Sequence, residues 1–320
     1  MSADAVIVGG GLVGALTAVL LGAQGRQVEL LERARPQRQV GELGIDIRNV
    51  AVSPASQQLL ETAGVWQRLT AAPYDRMCVV EERGTRQLEF AARDVDRTEL
   101  GWMCEHSEIV CALWDVLETM DTVALRLGDT VQAVAADGEQ VVVTLDAGAL
   151  TARLLIGADG NQSSVRAALG VAVSEQATGH HALATVIRSE ADHGGVAWQR
   201  FLLDGPLAVL PSYDPRLASV VWSQSAAEAE RRVGQDAADF CVELTEQMER
   251  RLGRVEAVDR RLVFPVSQML AQSFNPRPRV LLIGDAARAI HPLAGLGANV
   301  GFEDVRELVA VTEKLGGGTD

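Results

Sequence analysis

The stretch Ala5-Val6-Ile7-Val8-Gly9-Gly10-Gly11-Leu12-Val13-Gly14 decides the fold. Its first four residues read as a short buried strand, and Gly9, Gly11 and Gly14 make a GxGxxG turn. Leu12 to Gln24 then reads as an apolar helix, and Gln27 to Leu31 as a second strand ending at Glu32, 18 residues past Gly14. Strand, turn, helix, strand and acid in this register form a βαβ unit that takes a dinucleotide. Gly9 permits the tight turn, Gly11 lets bare backbone approach a pyrophosphate, and Gly14 lets helix pack on strand. The helix start offers free N–H groups to the anion, and the Glu32 carboxylate accepts hydrogen bonds from ribose hydroxyls. The plainer alternative is a glycine-rich turn in an ordinary α/β protein, and the acid in register argues against it.

The same segment imitates a membrane span, since Ala5 to Ala23 carries no charge. Its five glycines and the leading Met1-Ser2-Ala3-Asp4, which lacks lysine and arginine, disfavour both span and signal peptide. The whole chain of 320 residues is long enough for about two domains. With 48% hydrophobic and 22% charged residues it belongs to the globular class. Its net charge of −14 disfavours nucleic acid and anionic lipid as partners. Four cysteines without a CxxC pair argue against a disulfide framework or zinc knuckle and fit a reducing, cytoplasmic setting.

Beyond the first unit, Ser53-Pro54 reads as an N-cap with proline at the first helical position, the helix ending at Gly64. Arg48, just before it, either reaches a pyrophosphate or is a surface arginine. Ser107 reads as the cap of a helix that buries Val110, Leu113, Trp114 and Leu117. From Val131 the period becomes two: strands 131–136 and 140–145 flank an Asp137-Gly138 turn, and a strand at 151–156 runs into Gly157-Ala158-Asp159-Gly160. Short strands at 182–188, 199–203, 207–210 and 218–223, followed by a helical stretch 226–251, indicate a mixed antiparallel layer. The parallel style returns with the strand Arg279 to Ile283, then Gly284-Asp285-Ala286-Ala287, His291-Pro292 and the loop Gly295-Leu296-Gly297-Ala298-Asn299 before a helix from about Val300. A carboxylate at a strand end and a glycine loop at a helix start suit a polyol chain and a developing anion.

Together, GxGxxG…Glu, GADGxxSxVR and GDAA…HPLAGxGxN resemble the class A FAD-dependent aromatic hydroxylases. Ala197-Trp198-Gln199-Arg200-Phe201, Gly205 to Pro211 and Val221-Trp222-Ser223 are similar to the ubiquinone-biosynthesis branch, nearest the C5 hydroxylases of prenylated phenols. The resemblance covers essentially the whole chain. It implies an α/β fold in which a βαβ FAD-binding domain with a parallel sheet (1–74, 101–172 and 276–320) is interleaved with a mixed antiparallel substrate domain (75–100 and 173–275). It places Gly9, Gly11, Gly14, Glu32 and Arg33 on the ADP half of FAD, and Arg48 near the pyrophosphate. Asp159 falls near FAD and NAD(P)H, Asp285 on the ribityl and pyrophosphate region, and Gly295, Gly297, Ala298 and Asn299 on the isoalloxazine.

The implied activity is ring hydroxylation with FAD, NAD(P)H and O2, the protein supplying orientation and a water-free pocket. His291 either polarises the phenol or holds its loop. No metal is expected, and other ubiquinone-biosynthesis proteins are possible partners, with peripheral attachment to the inner membrane through them or the substrate. The substrate pocket is expected to be apolar, drawing on Phe201 to Leu210 and Val220 to Trp222. Arg288 and Leu296 depart from the family, which commonly has histidine and glutamine there. Relatives also continue past Asp320, so a shortened chain with low FAD content and an exposed apolar patch is expected. Two alternatives are a hydroxylase of a small soluble phenol and a non-catalytic flavin-binding subunit.

Overall fold

The computed structural model describes residues 3–82, 87–136, 138–290 and 296–316. The opening unit comprises β1 (Ala3–Val8), α1 (Leu12–Ala23) and β2 (Val28–Glu32), followed by β3 (Asn49–Val52) and α2 (Pro54–Thr62). Ser53 caps α2 by accepting from the Ser56 amide, with Pro54 at the first helical position. Next come β4 (Ala72–Tyr74), β5 (Arg76–Glu81), β6 (Gln87–Ala91), β7 (Gly101–Glu105) and α3 (His106–Leu117). The start of α3 differs from expectation. Ser107 lies inside the first turn, because the Asp46 carboxylate, not a serine hydroxyl, accepts from its amide.

The chain continues through β8 (Val123–Leu127), the hairpin β9 (Val131–Ala136) and β10 (Val141–Leu145), β11 (Gly148–Gly157) and α4 (Ser164–Ala168). Then follow β12 (Val173–Ser189), β13 (Val196–Leu202), β14 (Gly205–Pro211) and β15 (Leu217–Ser225). The helical stretch after β15 is two helices, α5 (Ala226–Gly234) and α6 (Ala237–Gln247). Gly234 ends the first and Asp236 caps the second through the Ala238 amide, so local capping breaks what the apolar spacing joins. The last elements are β16 (Val255–Val258), β17 (Leu262–Ala271), β18 (Val280–Leu282), β19 (Arg288–Ala289) and α7 (Leu296–Gly316), which begins before the expected Val300.

These strands form three sheets. The first runs β8-β2-β1-β11-β10-β9, with β18 also on β11; β8, β2, β1, β11 and β18 are mutually parallel along their contacts. The second runs β19-β17-β12-β15-β14-β13-β5-β6, with β16 on β12, and is largely antiparallel. The third, β3-β7-β4, is small and antiparallel. One core packs α1, α3 and α7 on the parallel sheet around Leu16, Leu30, Trp114 and Phe302. Another lies where α6 covers one face of the second sheet, around Leu183, Leu207, Trp222, Phe240 and Leu244. Val311 and Leu315 near the end of α7 are exposed, while Val305 is fully buried.

Candidate cofactor and substrate site

The C-terminal ends of four neighbouring parallel strands carry the sequence motifs: Glu32 on β2, Gly9 after β1, Asp159 after β11 and Gly284-Asp285 after β18. Ligands of open α/β sheets bind at this end. Gly9 has φ +104°, and a Cβ there would collide with the Ala158 carbonyl oxygen, so the first turn packs directly on the third motif strand. A Cβ at Gly14 would strike the Gly9 carbonyl oxygen. Gly11 is exposed, and among the described residues nothing lies within 4 Å of where its Cβ would be. Among the described residues no side chain caps the start of α1 and no acid sits in its first turn, so its first N–H groups have no side-chain partner there.

Glu32 is held from both sides. Its Oε2 accepts from the Gly10 amide at 2.6 Å and its Oε1 from the Arg33 amide at 2.8 Å. A carboxylate has about four lone-pair sites, so hydroxyls can still reach it. Trp114 is fully buried, as a core residue should be, yet its indole Nε1 donates to the Gly10 carbonyl at 2.8 Å. The helical period that marks Trp114 as core carries no trace of this second role.

Asp159 is divided between two tasks. Its Oδ2 accepts from the Ser164 amide at 2.6 Å, the Ser164 hydroxyl at 2.8 Å and the Val165 amide at 3.2 Å. Its Oδ1 is buried without a partner among the described residues. Arg166 ties this turn to the next motif by donating to the Ala286 carbonyl at 2.9 Å. Asp285 is exposed at the turn after β18, with protein crowding its carboxylate. The crowding raises its pKa above the ordinary range, with Arg288 pulling it back.

Asn299 turns out to be a staple. Its Oδ1 accepts from the Ser53 amide at 2.9 Å and the Ser56 hydroxyl at 2.7 Å, while its Nδ2 donates to the Ala51 carbonyl at 2.6 Å. The side chain thus locks the start of α7 to the end of β3 and the cap of α2. Gly297 and Ala298 form the same first turn and are half-buried. His291 and Gly295 lie outside the described residues.

Arg288, one of the departures from the family pattern, has a clear place. Its guanidinium grips both Asp304 oxygens, at 2.7 and 3.0 Å, and Asp304 also accepts from the Gly284 amide at 2.9 Å. One ion pair therefore fixes α7 against the Asp285 turn. Charge-assisted bonds of this kind contribute about 1.5–3 kcal/mol. Arg288→Ala should lower stability by that amount and reduce bound flavin; an unchanged thermal midpoint would show that the pair is idle.

Arg48 is exposed, and its side chain stands near His106. Burial first, then the Arg48 charge, push the His106 pKa down to about 4, so its imidazole is neutral at pH 7. Its Nδ1 is buried without a partner among the described residues. Beneath it, buried Asp46 accepts from the Arg48 and Ser107 amides, and buried Glu105 accepts from the Asp46 amide. Sequence reasoning missed His106. Among the described residues no group of His, Cys, Asp and Glu is arranged to hold a metal.

The second sheet corrects the expected substrate lining. Leu207, Val209, Val220 and Trp222 pack under α6 with Phe240 and Leu244. The alternate residues face the other way: Ala184 and Val186 against Ile45 and Ile47, and Ala197 and Leu210 against Ala51, Ala72 and Met103. Asn49 joins this face by donating to the Ser219 hydroxyl at 2.7 Å. Register puts Val221, Ala208, Phe201, Leu262 and Phe264 on it as well, with Phe201 and Phe264 each 41% exposed.

The chain is 35% identical to 3-demethoxyubiquinol 3-hydroxylase of Escherichia coli (strain K12), over 96% of this chain and 79% of that relative. It is 31% identical to the ubiquinone hydroxylase UbiL of Rhodospirillum rubrum, over 98% and 74% of the two chains. Its fold is similar to that of Pseudomonas aeruginosa PqsL in complex with 2-aminobenzoylacetate, with a TM-score of 0.80 at 21% identity, covering 97% and 86%. The family model described as FAD binding domain matches residues 2–316, so the chain belongs to that family of flavoproteins.

Proposed function

We propose that this chain is an FAD-dependent monooxygenase that hydroxylates the aromatic ring of a polyprenylated phenol in ubiquinone biosynthesis, with NAD(P)H as reductant and O2 as co-substrate. Its likeness to two named ubiquinone hydroxylases over nearly its whole length carries the reading. The residues present fit FAD: a bare Gly11 backbone beside an uncapped helix start, an anchored Glu32 carboxylate, and a crowded yet open Asp285 at the next strand ends. FAD, when bound, supplies the redox chemistry that delivers one oxygen atom of O2 to the ring.

This chain's own residues bind and orient. In this reading Gly9, Gly11, Gly14, Glu32 and Arg33 hold the ADP half, Arg48 and Asp285 serve the pyrophosphate and ribityl chain, and Asp159 lies beside FAD. Gly297 and Ala298 offer backbone to the ring system, and Asn299 acts by holding that turn in place. In the same reading Gly295 serves the isoalloxazine, and His291 either polarises the phenol or holds its loop. The parallel sheet with its helices is the FAD unit (1–74, 101–172 and 276–320), and the second sheet with α5 and α6 is the substrate unit (75–100 and 173–275). Among the described residues no helix is long and apolar enough to cross a membrane. We place the protein in the cytoplasm, meeting a lipid-borne substrate, and other ubiquinone-biosynthesis proteins, at the inner membrane surface.

Expression in a strain lacking its own ring hydroxylases tests the activity directly. Mass spectrometry should find the prenylphenol product one oxygen atom heavier, and accumulation of the unmodified precursor would reject the proposal. The cofactor assignment has a separate test. Glu32 makes charge-assisted ribose bonds worth about 1.5–3 kcal/mol each, so Glu32→Ala should weaken FAD at least about tenfold. Flavin titration reads it, and undiminished affinity would count against the whole ADP site.

A further inference from the structure

One buried carboxylate belongs to none of the strand-end motifs. Asp259, the residue after β16, is 2% exposed, and no arginine or lysine pairs with it among the described residues. Native chains seldom bury a carboxylate without a cation beside it. Its backbone is fixed to the second sheet. The Asp259 amide donates to the Val186 carbonyl at 2.9 Å, and the Thr185 hydroxyl donates to the Asp259 carbonyl at 3.0 Å. From that platform the side chain reaches a different part of the chain. Oδ1 accepts from the neighbouring Arg260 amide at 2.7 Å, and Oδ2 accepts from the Leu43 amide at 2.8 Å. Leu43 lies in the segment between β2 and β3 that leads to Arg48.

The grip passes along this segment. The Gly41 amide donates to the Ile45 carbonyl at 2.9 Å and the Gly44 amide to the Gly41 carbonyl at 3.2 Å, so 41–45 is one closed turn. The turn sits hard on the carboxylate, since a Cβ at Gly41 would stand 2.3 Å from Asp259 Oδ2. Ile45 and Ile47, both buried, then pack on the second sheet against Ala184, Val186 and Leu217. Arg48 follows at once. Its amide is bound by Asp46, its carbonyl accepts from the His106 amide, and its side chain is exposed. Apolar contact alone would let the turn slide, whereas a charge-assisted bond to one amide fixes its position. We propose that Asp259 is a positioning residue for the cofactor: by holding the 41–45 turn on the second sheet, it sets the place of Arg48 on FAD. This rests on the reading above that Arg48 serves the pyrophosphate.

The test is a double-mutant cycle in the full chain, with FAD affinity read from flavin fluorescence during titration. Arg48→Ala removes a charge-assisted bond and should weaken FAD about tenfold or more. Asp259→Ala should weaken it about fivefold in the unaltered chain. Added to Arg48→Ala, it should cost no more than about twofold further, because residues that act through one contact do not add. An Asp259 that only stabilises the fold would weaken FAD equally on both backgrounds, or on neither, and either result overturns the proposal. Gly41→Ala takes the place of Asp259→Ala if that variant does not fold. The backbone of Gly41 suits any residue, and the added methyl displaces the carboxylate from Leu43, so the same non-additivity is expected. If Arg48→Ala leaves FAD affinity unchanged, the Arg48 assignment falls and this proposal with it. The FAD site as a whole is judged separately, by Glu32→Ala.

Discussion

Gly14→Ala should yield a destabilised chain that retains no FAD, whereas Gly11→Ala should fold normally and bind FAD at least about tenfold more weakly. The two glycines sit three residues apart in one loop, and the structure separates their roles. At Gly14 the added methyl meets the Gly9 carbonyl oxygen, a backbone atom that cannot rotate away. Relief requires α1 to lift from the end of β1, and overpacking of this kind costs about 3 kcal/mol out of a total of about 5–15. At Gly11 the methyl meets no atom of the described residues within 4 Å. Its only victim is whatever approaches the bare backbone and the uncapped N–H groups of α1. Thermal melts and the ratio of flavin to protein absorbance after gel filtration read both effects. A Gly11→Ala protein with a full flavin complement would show that the pyrophosphate passes elsewhere.

That contrast also marks what could be read in the chain. The GxGxxG turn, the acid at the end of β2 and the terminal Asp285 are legible because each combines a backbone requirement with a fixed spacing. Four adjacent parallel strands then gather them at one end of the sheet without further instruction. Trp114 and Asn299 were legible only as a core residue and a flavin-loop residue. Their added roles, an indole bond to Gly10 and a three-bond staple to β3 and α2, depend on partners 104 and 243–248 residues away. No local period encodes such distances. His106 was invisible for the same reason, since its neutrality comes from burial and from Arg48 across a strand pair. Arg288 reads as a departure from the family until Asp304 is seen beneath it.

Tail length should dominate substrate affinity, and only one face of the second sheet should control it. Each buried methylene contributes about 0.8 kcal/mol, so one half-buried prenyl unit is worth about 2 kcal/mol, or about thirtyfold in affinity. Alternation of side chains tells which residues supply that contact. Phe201, Val221, Leu262 and Phe264 share the face toward the cofactor motifs, whereas Leu207, Val209, Val220 and Trp222 are consumed by α6. A strand reading by segment cannot separate these sets, because neighbours in sequence fall on opposite faces. Phe264→Ser should therefore flatten the gain in affinity per added prenyl unit while changing stability little, since its ring is already 41% exposed. Leu207→Ala should do the reverse, costing about 2–5 kcal/mol of stability with the tail dependence intact. Binding of phenols with one to three prenyl units, measured beside thermal melts for each variant, distinguishes the faces. If a bare phenol bound as tightly as its prenylated forms, the small-phenol alternative would replace the ubiquinone reading.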